Sequence, residues 1–486
     1  MNRRTALGAE EFMAKPDNPG PVRNRRAPRP QKPGAPHPSQ ANRRPPNQES
    51  KAQPPSPAAE RLGASAATPC ARITRRAADR LRQGHLWVYD SDIESLNFEG
   101  RDSRTPDLPG AQSTSAPALL PVADSRGLLL GTALYSPASR IPLRLVSREL
   151  LDESAWLRLL AARLHRAIAR RKPMLDAAND ACRLCFSEAD ELPGLIIDKY
   201  GPLLVVQRLT QGLLSSAVED VCTRVLREEL APDAIVERPD PRIRELEGLP
   251  APSSAPLWSA DPAAPLSGAA FRLNGLLFRF DPNAGQKTGA FLDQRTNYLA
   301  AREWTRSLAP GGRALDVCCY QGGFALHLAQ VCGRVTGIDA SRASLEVAEQ
   351  NLKANQHQLT AAVDWFEADA FEILRGWSDA GERFDAIVLD PPAFAKTKRA
   401  VEGALRGYKE LNLRALRMIL PGGLLVTCSC SHHVGWADLE AAVAAAAADA
   451  PRRVRLLERR GASPDHPVVL NLPETEYLKC LVLEVE

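Results

Sequence analysis

The spacing of hydrophobic positions changes character along the chain. Up to about residue 68 there is no period, because large apolar side chains are almost absent. From 69 to 148 short apolar runs alternate with turn residues, which predicts a small, mainly β domain. Residues 128–135 and 141–146 read as strands on either side of Ser136-Pro-Ala-Ser139. His85-Leu-Trp-Val-Tyr89 reads as another strand, behind a basic segment at 72–84 that reads as a short helix. Trp87 and Tyr89 alternate onto one strand face, so at least one is expected in the core. The Ser/Pro/Gly/Thr-rich stretch 100–117 reads as a loop insertion.

From 149 to 268 helical and strand periods alternate, predicting a central α+β domain. Residues 154–171 put Trp156, Leu159, Leu160, Leu164 and Ile168 on one stripe of a helix. Residues 192–201 read as a strand and turn, 203–207 and 234–237 as strands, and 214–229 as a helix. Residues 249–267 read as a Pro/Ala/Ser-rich connector. From 269 to 486 the pattern becomes strand–helix. Ala314-Leu-Asp-Val317, 335–339, 363–368, 386–389 and 424–427 are five short apolar runs with helices between them. This argues an α/β fold built on a doubly wound parallel sheet. Residues 454–457 and 477–483 read as a closing pair of edge strands.

Composition changes the picture at the N-terminus. The chain of 486 residues carries a net charge of +4, but residues 1–69 hold +7 and the remainder −3. The first 68 residues, rich in Pro and Arg, cannot bury enough surface to offset chain entropy and are expected to be disordered. A solvated extension is favoured over a basic arm that brushes RNA. The near-neutral body excludes nucleic-acid binding through a global field and leaves local patches. No apolar run reaches the length of a membrane span, and the first residues lack a secretory segment. The expectation is a cytoplasmic protein whose ten cysteines are reduced thiols. Cys182-Arg-Leu-Cys185 has no second pair to complete a metal site and is read as a structural pair; no metal is expected.

The chemistry gathers where the parallel strands end, since ligands of open sheets bind at those ends. Tyr320-Gln-Gly-Gly-Phe324 is a glycine turn without the spacing a dinucleotide pyrophosphate needs. A phosphate-free nucleotide such as S-adenosyl-L-methionine suits this looser turn. Asp316 at the first strand end could hold its ammonium. Asp339, ending the second strand, could accept both ribose hydroxyls, and Asp369, after the third, the adenine amino group. For Asp339 and Asp369 taken singly, a helix N-cap is an equal alternative. Gly285-Gln-Lys-Thr-Gly289 lacks the upstream glycine of a phosphate loop, which excludes an NTPase. Asp390-Pro-Pro392 forms a rigid polar ledge. Ala393 follows it and Phe394 comes one later, which counts against amino-group methylation.

Cys428 and Cys430 then separate the possible reactions. Carbon 5 of cytosine is a poor nucleophile until a thiolate adds at carbon 6. Cys430, nearer the strand end, is assigned as that thiolate, and Cys428 as a buried core residue. Asp390 could protonate or hydrogen-bond the ring nitrogen. A base must later take the carbon 5 proton. His432 and His433 read as surface residues.

His85-Leu-Trp-Val-Tyr89, Gly285-Gln-Lys-Thr-Gly-Ala-Phe-Leu-Asp-Gln-Arg295, Tyr320-Gln-Gly-Gly-Phe324, Asp390-Pro-Pro392, Gly407-Tyr-Lys409, Ser429-Cys-Ser431, Asp465-His-Pro467 and Tyr477-Leu-Lys479 together resemble the ribosomal RNA large subunit methyltransferase I family, from about residue 70 to the end. The resemblance implies a PUA-type RNA-binding domain over 69–148, a central domain, and a Rossmann-like S-adenosylmethionine-dependent methyltransferase over 269–486. It implies 5-methylcytosine formation in large-subunit ribosomal RNA with Cys430 as nucleophile. It also implies that residues around Thr288–Arg295 wall the cofactor pocket. The expected cofactor set is Thr288, Phe291, Asp316, Tyr320, Gly322, Asp339, Asp369 and Asp390. Gln321 and Cys318-Cys319 depart from the family's usual residues. Methylation of a guanine or amino nitrogen without a covalent step, and a non-catalytic RNA-binding assembly factor, are the alternatives. The oligomeric state, monomer or homodimer, is left open.

Overall fold

The computed structural model describes residues 69–98, 101–102, 118–238, 240–251, 255–263, 268–281 and 289–486. The basic tail, residues 103–117 of the insertion, and Thr288 with most of its glycine segment lie outside these residues. Among the described residues no helix is long and apolar enough to cross a membrane.

The C-terminal sheet positions the site. Its strands are β1 (Arg313–Val317), β2 (Arg334–Asp339), β3 (Ala362–Glu367), β4 (Phe384–Leu389), β5 (Ile419–Ser429), β6 (Val454–Arg460) and β7 (Lys479–Val485). They lie in the order β3-β2-β1-β4-β5-β7-β6. The first five are parallel, and β7 is inserted antiparallel between β5 and β6. The helices are α1 (Arg295–Leu308), α2 (Gly323–Leu328), α3 (Arg342–Asn355), α4 (Ala370–Ala380), α5 (Val401–Met418) and α6 (Trp436–Asp449). Alternate strand residues feed two cores, as period-2 geometry requires. Ala314, Val388, Val426 and Cys428 pack on one face, and Leu315, Val317, Ile387 and Leu425 on the other. Each Val, Leu or Ile side chain among them, fully buried, contributes roughly 1.5–3 kcal/mol. The closing strands are not both at an edge. Only β6 is, because β7 pairs with β5 on one side and β6 on the other.

Among the described residues, the N-terminal sheet has seven strands between Cys70 and Ser147. The basic segment begins as the strand Cys70–Ile73 and becomes helical only over Arg75–Arg82, where the Thr74 side chain caps Ala77 N–H. Leu119–Asp124 is a further strand that local spacing did not mark. Arg101–Asp102, inside the expected loop insertion, pairs with Asn97–Phe98. Neither Trp87 nor Tyr89 reaches the core, contrary to expectation. Val88 between them is buried, while both rings are half-buried. The Trp87 indole N–H donates to Glu188 Oε1 at 2.9 Å, so the polar edge keeps this ring at a seam.

A central five-stranded sheet runs Trp258–Ser259, Ala234–Glu237, Leu203–Arg208, Leu195–Tyr200, Ala181–Phe186. Glu153–Arg171 packs on it, burying Trp156, Leu160, Leu164 and Ile168. The 249–267 connector is not wholly irregular. Trp258–Ser259 forms the edge strand against Ala234–Ile235, and Arg227 covers the Trp258 ring at 4.7 Å. Cys182 and Cys185 are both buried in this core, and burial pushes the Cys182 thiol up to about 12.

A buried polar seam ties this sheet to the loop between β6 and β7. Arg171, 1% exposed, donates to Asp190 Oδ1 at 2.6 Å and to the Asp465 carbonyl at 3.1 Å. Arg183 N–H donates to Asp465 Oδ2 at 2.9 Å.

Candidate active site

The ends of β1, β2, β4 and β5 open onto one cavity of about 1320 Å³. Its wall includes Phe291, Asp293, Gln294, Cys318, Tyr320, Gln321, Asp339, Asp369, Asp390, Pro391, Pro392, Phe394, Cys430 and Tyr477. Cys430, Asp390, Phe291, Tyr320, Asp339 and Asp369 are therefore brought together. Asp316 and Gly322 are not on this wall. Thr288 lies outside the described residues.

Asp316 is fully buried in β1. Its Oδ2 accepts the Ala325 N–H at 2.8 Å, while Oδ1 is buried with no hydrogen-bond partner among the described residues. Burial pushes its carboxyl well above the usual range, and the charges of Asp390 and Asp339 add to this against the Ala325 bond. An orphaned, buried acceptor of this kind is costly unless something positive meets it. A cofactor ammonium fits that requirement. Gly322 serves the turn: its φ is +85°, and a Cβ there would stand 2.9 Å from the Trp365 ring. Tyr320 also has positive φ, 49°. Its N–H donates to Asp339 Oδ2 at 2.9 Å, its hydroxyl to the Gly289 carbonyl at 3.2 Å, and its ring meets Phe291 edge-on at 4.9 Å.

Asp339 Oδ1 accepts the Ser341 N–H at 2.9 Å, and Ser341 caps α3. Asp369 is itself the N-cap of α4, accepting from Phe371 and Glu372 N–H through Oδ1. The capping role and the cavity wall are thus combined in one residue. Among the described residues, no group of three or more His, Cys, Asp or Glu could hold a metal ion.

Around Cys430 the strand end is pinned from several sides. Ser429 donates its hydroxyl to the Tyr408 hydroxyl at 2.9 Å, and Ser431 Oγ lies 3.1 Å from the same oxygen. Ser431 N–H turns back onto Ser429 Oγ at 3.3 Å, a local bond that competes with continuing the strand. Cys430 is half-buried, with Sγ 3.9 Å from the Pro391 carbonyl. Cys428 is fully buried opposite Cys480, and its thiol is pushed well up by the Cys480 contact and by burial. His432 and His433 are exposed.

Three residues had no assigned role in the sequence. Gln294, 1% exposed, donates Nε2 to Asp390 Oδ2 at 3.0 Å while its Oε1 accepts from Asn297 at 2.7 Å. Lys479, 3% exposed, donates Nζ to the carbonyls of Ser431 and Tyr477, both at 2.7 Å. Tyr477 donates its hydroxyl to Asp293 Oδ2 at 2.5 Å. Each lies in a stretch already singled out, but its partner is far along the chain.

A profile of S-adenosylmethionine-dependent methyltransferases matches residues 240–482, and one of PUA-like domains matches residues 71–148. Among curated proteins, the chain is similar to the ribosomal RNA large subunit methyltransferase I of Erwinia tasmaniensis. The two are 35% identical over 402 residues, 82% of this chain and 95% of that protein. It is also similar to the protein of that name from Pseudoalteromonas translucida, 35% identical over 410 residues, 83% of this chain and 96% of that one. Among solved structures, SMU.776 in complex with SAH superposes with a TM-score of 0.68 at 19% identity, covering 85% of this chain and 99% of that one. At that identity the likeness is one of fold.

Proposed function

This chain belongs to the ribosomal RNA large subunit methyltransferase I family, and from that premise we propose that it methylates carbon 5 of a cytosine in large-subunit ribosomal RNA through a covalent adduct with Cys430. The observation that carries this reading is the shared wall: Cys430 lines the same cavity as Asp339 and Asp369. A half-buried thiol in such a place is accessible to a base, whereas Cys428 is not.

S-adenosyl-L-methionine, when bound, supplies an electrophilic methyl group. In this reading Asp316 holds its ammonium, Asp339 its ribose hydroxyls and Asp369 its adenine amino group, with Phe291 and Tyr320 as apolar walls. A cytosine must leave its stack to expose carbon 6 to a thiolate. Cys430 adds there, and the ring becomes an enamine whose carbon 5 can take the methyl group. Asp390 donates a proton or hydrogen bond to the ring nitrogen as negative charge develops on it. Gln294, itself fixed by Asn297, holds the Asp390 carboxyl group for that role. Tyr408, Ser429 and Ser431 fix the backbone on either side of the sulfur. The PUA-like lobe at 69–148 and the central lobe at 149–268 position the RNA around the catalytic lobe at 269–486.

Replacing Cys430 by Ala tests the proposal. The variant is expected to form no 5-methylcytosine on ribosomal RNA, read by nucleoside mass analysis, while binding S-adenosylhomocysteine as the parent does. Undiminished methylation by the variant, or a methyl group found on a nitrogen, would overturn it.

A further inference from the structure

The covalent reading leaves one step without a residue, the removal of the proton from carbon 5. We propose that Asp293 takes that proton, with Tyr477 as the residue that positions it; the assignment rests on the Cys430 reading. Among the described residues, six carboxylates line the cavity. Asp339 ends β2, three strands from β5, which at sheet spacing is roughly 14 Å from Cys430, and Asp369 lies one strand farther still. Asp281 and Glu346 are exposed. Only Asp293 and Asp390 are tied to the chain around Cys430. Asp390 precedes Pro391, whose carbonyl meets the sulfur, and its Oδ2 accepts from Gln294.

Asp293 is linked to the same strand end through Tyr477 and Lys479. Its Oδ2 accepts the Tyr477 hydroxyl at 2.5 Å. The Tyr477 carbonyl accepts from Lys479 Nζ, which also donates to the carbonyl of Ser431, next to Cys430. The remaining oxygen, Oδ1, is buried and has no hydrogen-bond partner among the described residues. One oxygen fixed and one uncommitted is what a proton acceptor requires. The Tyr477 ring is held between Phe186 and His432, with ring centres 6.2 and 5.8 Å away. Burial pushes its phenol up, so it stays a donor.

After methyl transfer, carbon 5 carries both the new methyl group and its original hydrogen, and carbon 6 carries Sγ. The Asp293 carboxylate takes the proton. The C–H electron pair becomes the C5–C6 double bond, the C6–S bond breaks, and its pair leaves with Cys430 as thiolate. Asp293 then returns the proton to solvent.

The test uses the full-length protein and ribosomal RNA. Asp293→Asn keeps shape and the Tyr477 bond but removes the base. It is expected to lower turnover about 10²- to 10⁴-fold and to accumulate a denaturant-stable protein–RNA adduct that already carries the methyl group. The adduct should vanish in the Asp293→Asn, Cys430→Ala double variant. Tyr477→Phe should accumulate less adduct, with S-adenosylhomocysteine binding unchanged. RNA carrying 5-fluorocytidine separates the two readings, since its carbon 5 has no proton to lose. If the parent protein traps no adduct on that RNA, the Cys430 reading falls and this one with it. If the parent traps it, but Asp293→Asn turns over natural RNA normally or slows without building adduct, only the Asp293 assignment is overturned.

Discussion

Replacing Asp316 by Asn removes a charge while keeping an acceptor for the Ala325 N–H. In the free protein this carboxyl is fully buried with one oxygen unmatched, and burial raises its pKa. If it holds the cofactor ammonium, the lost contact is a hydrogen bond between charged groups, worth about 1.5–3 kcal/mol. At 1.4 kcal/mol per factor of ten, affinity for S-adenosylhomocysteine should fall about 10- to 150-fold. The pH dependence has a defined sign. The ammonium prefers the ionised carboxylate, so below the raised pKa binding must first expel a proton. Affinity should then weaken by up to about tenfold per pH unit as the pH falls below that pKa. The Asn variant has no such proton and should show a flatter profile. Calorimetric titration at several pH values, for both proteins, reads both effects. Equal affinity in parent and variant, or parallel pH profiles, would refute the role given to Asp316.

Two further outcomes concern the scaffold. Arg171→Ala strands the Asp190 charge in a buried site and should cost about 3–5 kcal/mol, seen as a lowered urea midpoint. Arg170→Ala, whose more exposed guanidinium stands 3.5 Å from the same carboxylate, should cost about 1 kcal/mol or less; similar losses would contradict the burial argument. His327 is fully buried, with Nδ1 on the Gly323 carbonyl at 2.7 Å and Nε2 taking the Asn274 amide at 3.0 Å. Burial holds its pKa down to about 3. The unfolded chain therefore binds a proton the folded one refuses. Stability should drop by up to about 1.4 kcal/mol per pH unit as pH falls below about 6.5 toward that lowered value. His327→Gln should remove one proton's worth of this slope in denaturation series, and an unchanged slope would count against the neutral imidazole.

Much of the catalytic sheet was legible because its strands are short apolar runs ending in Asp316, Asp339, Asp390 and Cys430, and local spacing records such ends. What local spacing cannot record is partnership across the chain. Gln294 meets Asp390 96 positions away, and Tyr477 meets Asp293 184 positions away. Lys479, polar at the start of a strand, gave no hint that its ammonium would be buried against Ser431. The interior place of β7 did leave a trace. Cys480-Leu-Val-Leu483 is continuously apolar, as a strand covered on both faces should be, and that signal points away from an edge. Trp87 failed as a core residue for the opposite reason: its indole N–H needed Glu188, a partner in the turn after the central-sheet strand Ala181–Phe186.

The arm that carries Tyr477 to the cavity is fastened to Arg171 and Arg183 of the central lobe as well as to Asp293 and Lys479 of its own domain. Severing the chain near residue 269 would leave the seven strands of the C-terminal sheet intact but remove the central-lobe anchorage of that arm. The catalytic half is consequently not a portable cassette. Its transplantation onto another RNA-reading head would have to bring the middle lobe along as part of the tool.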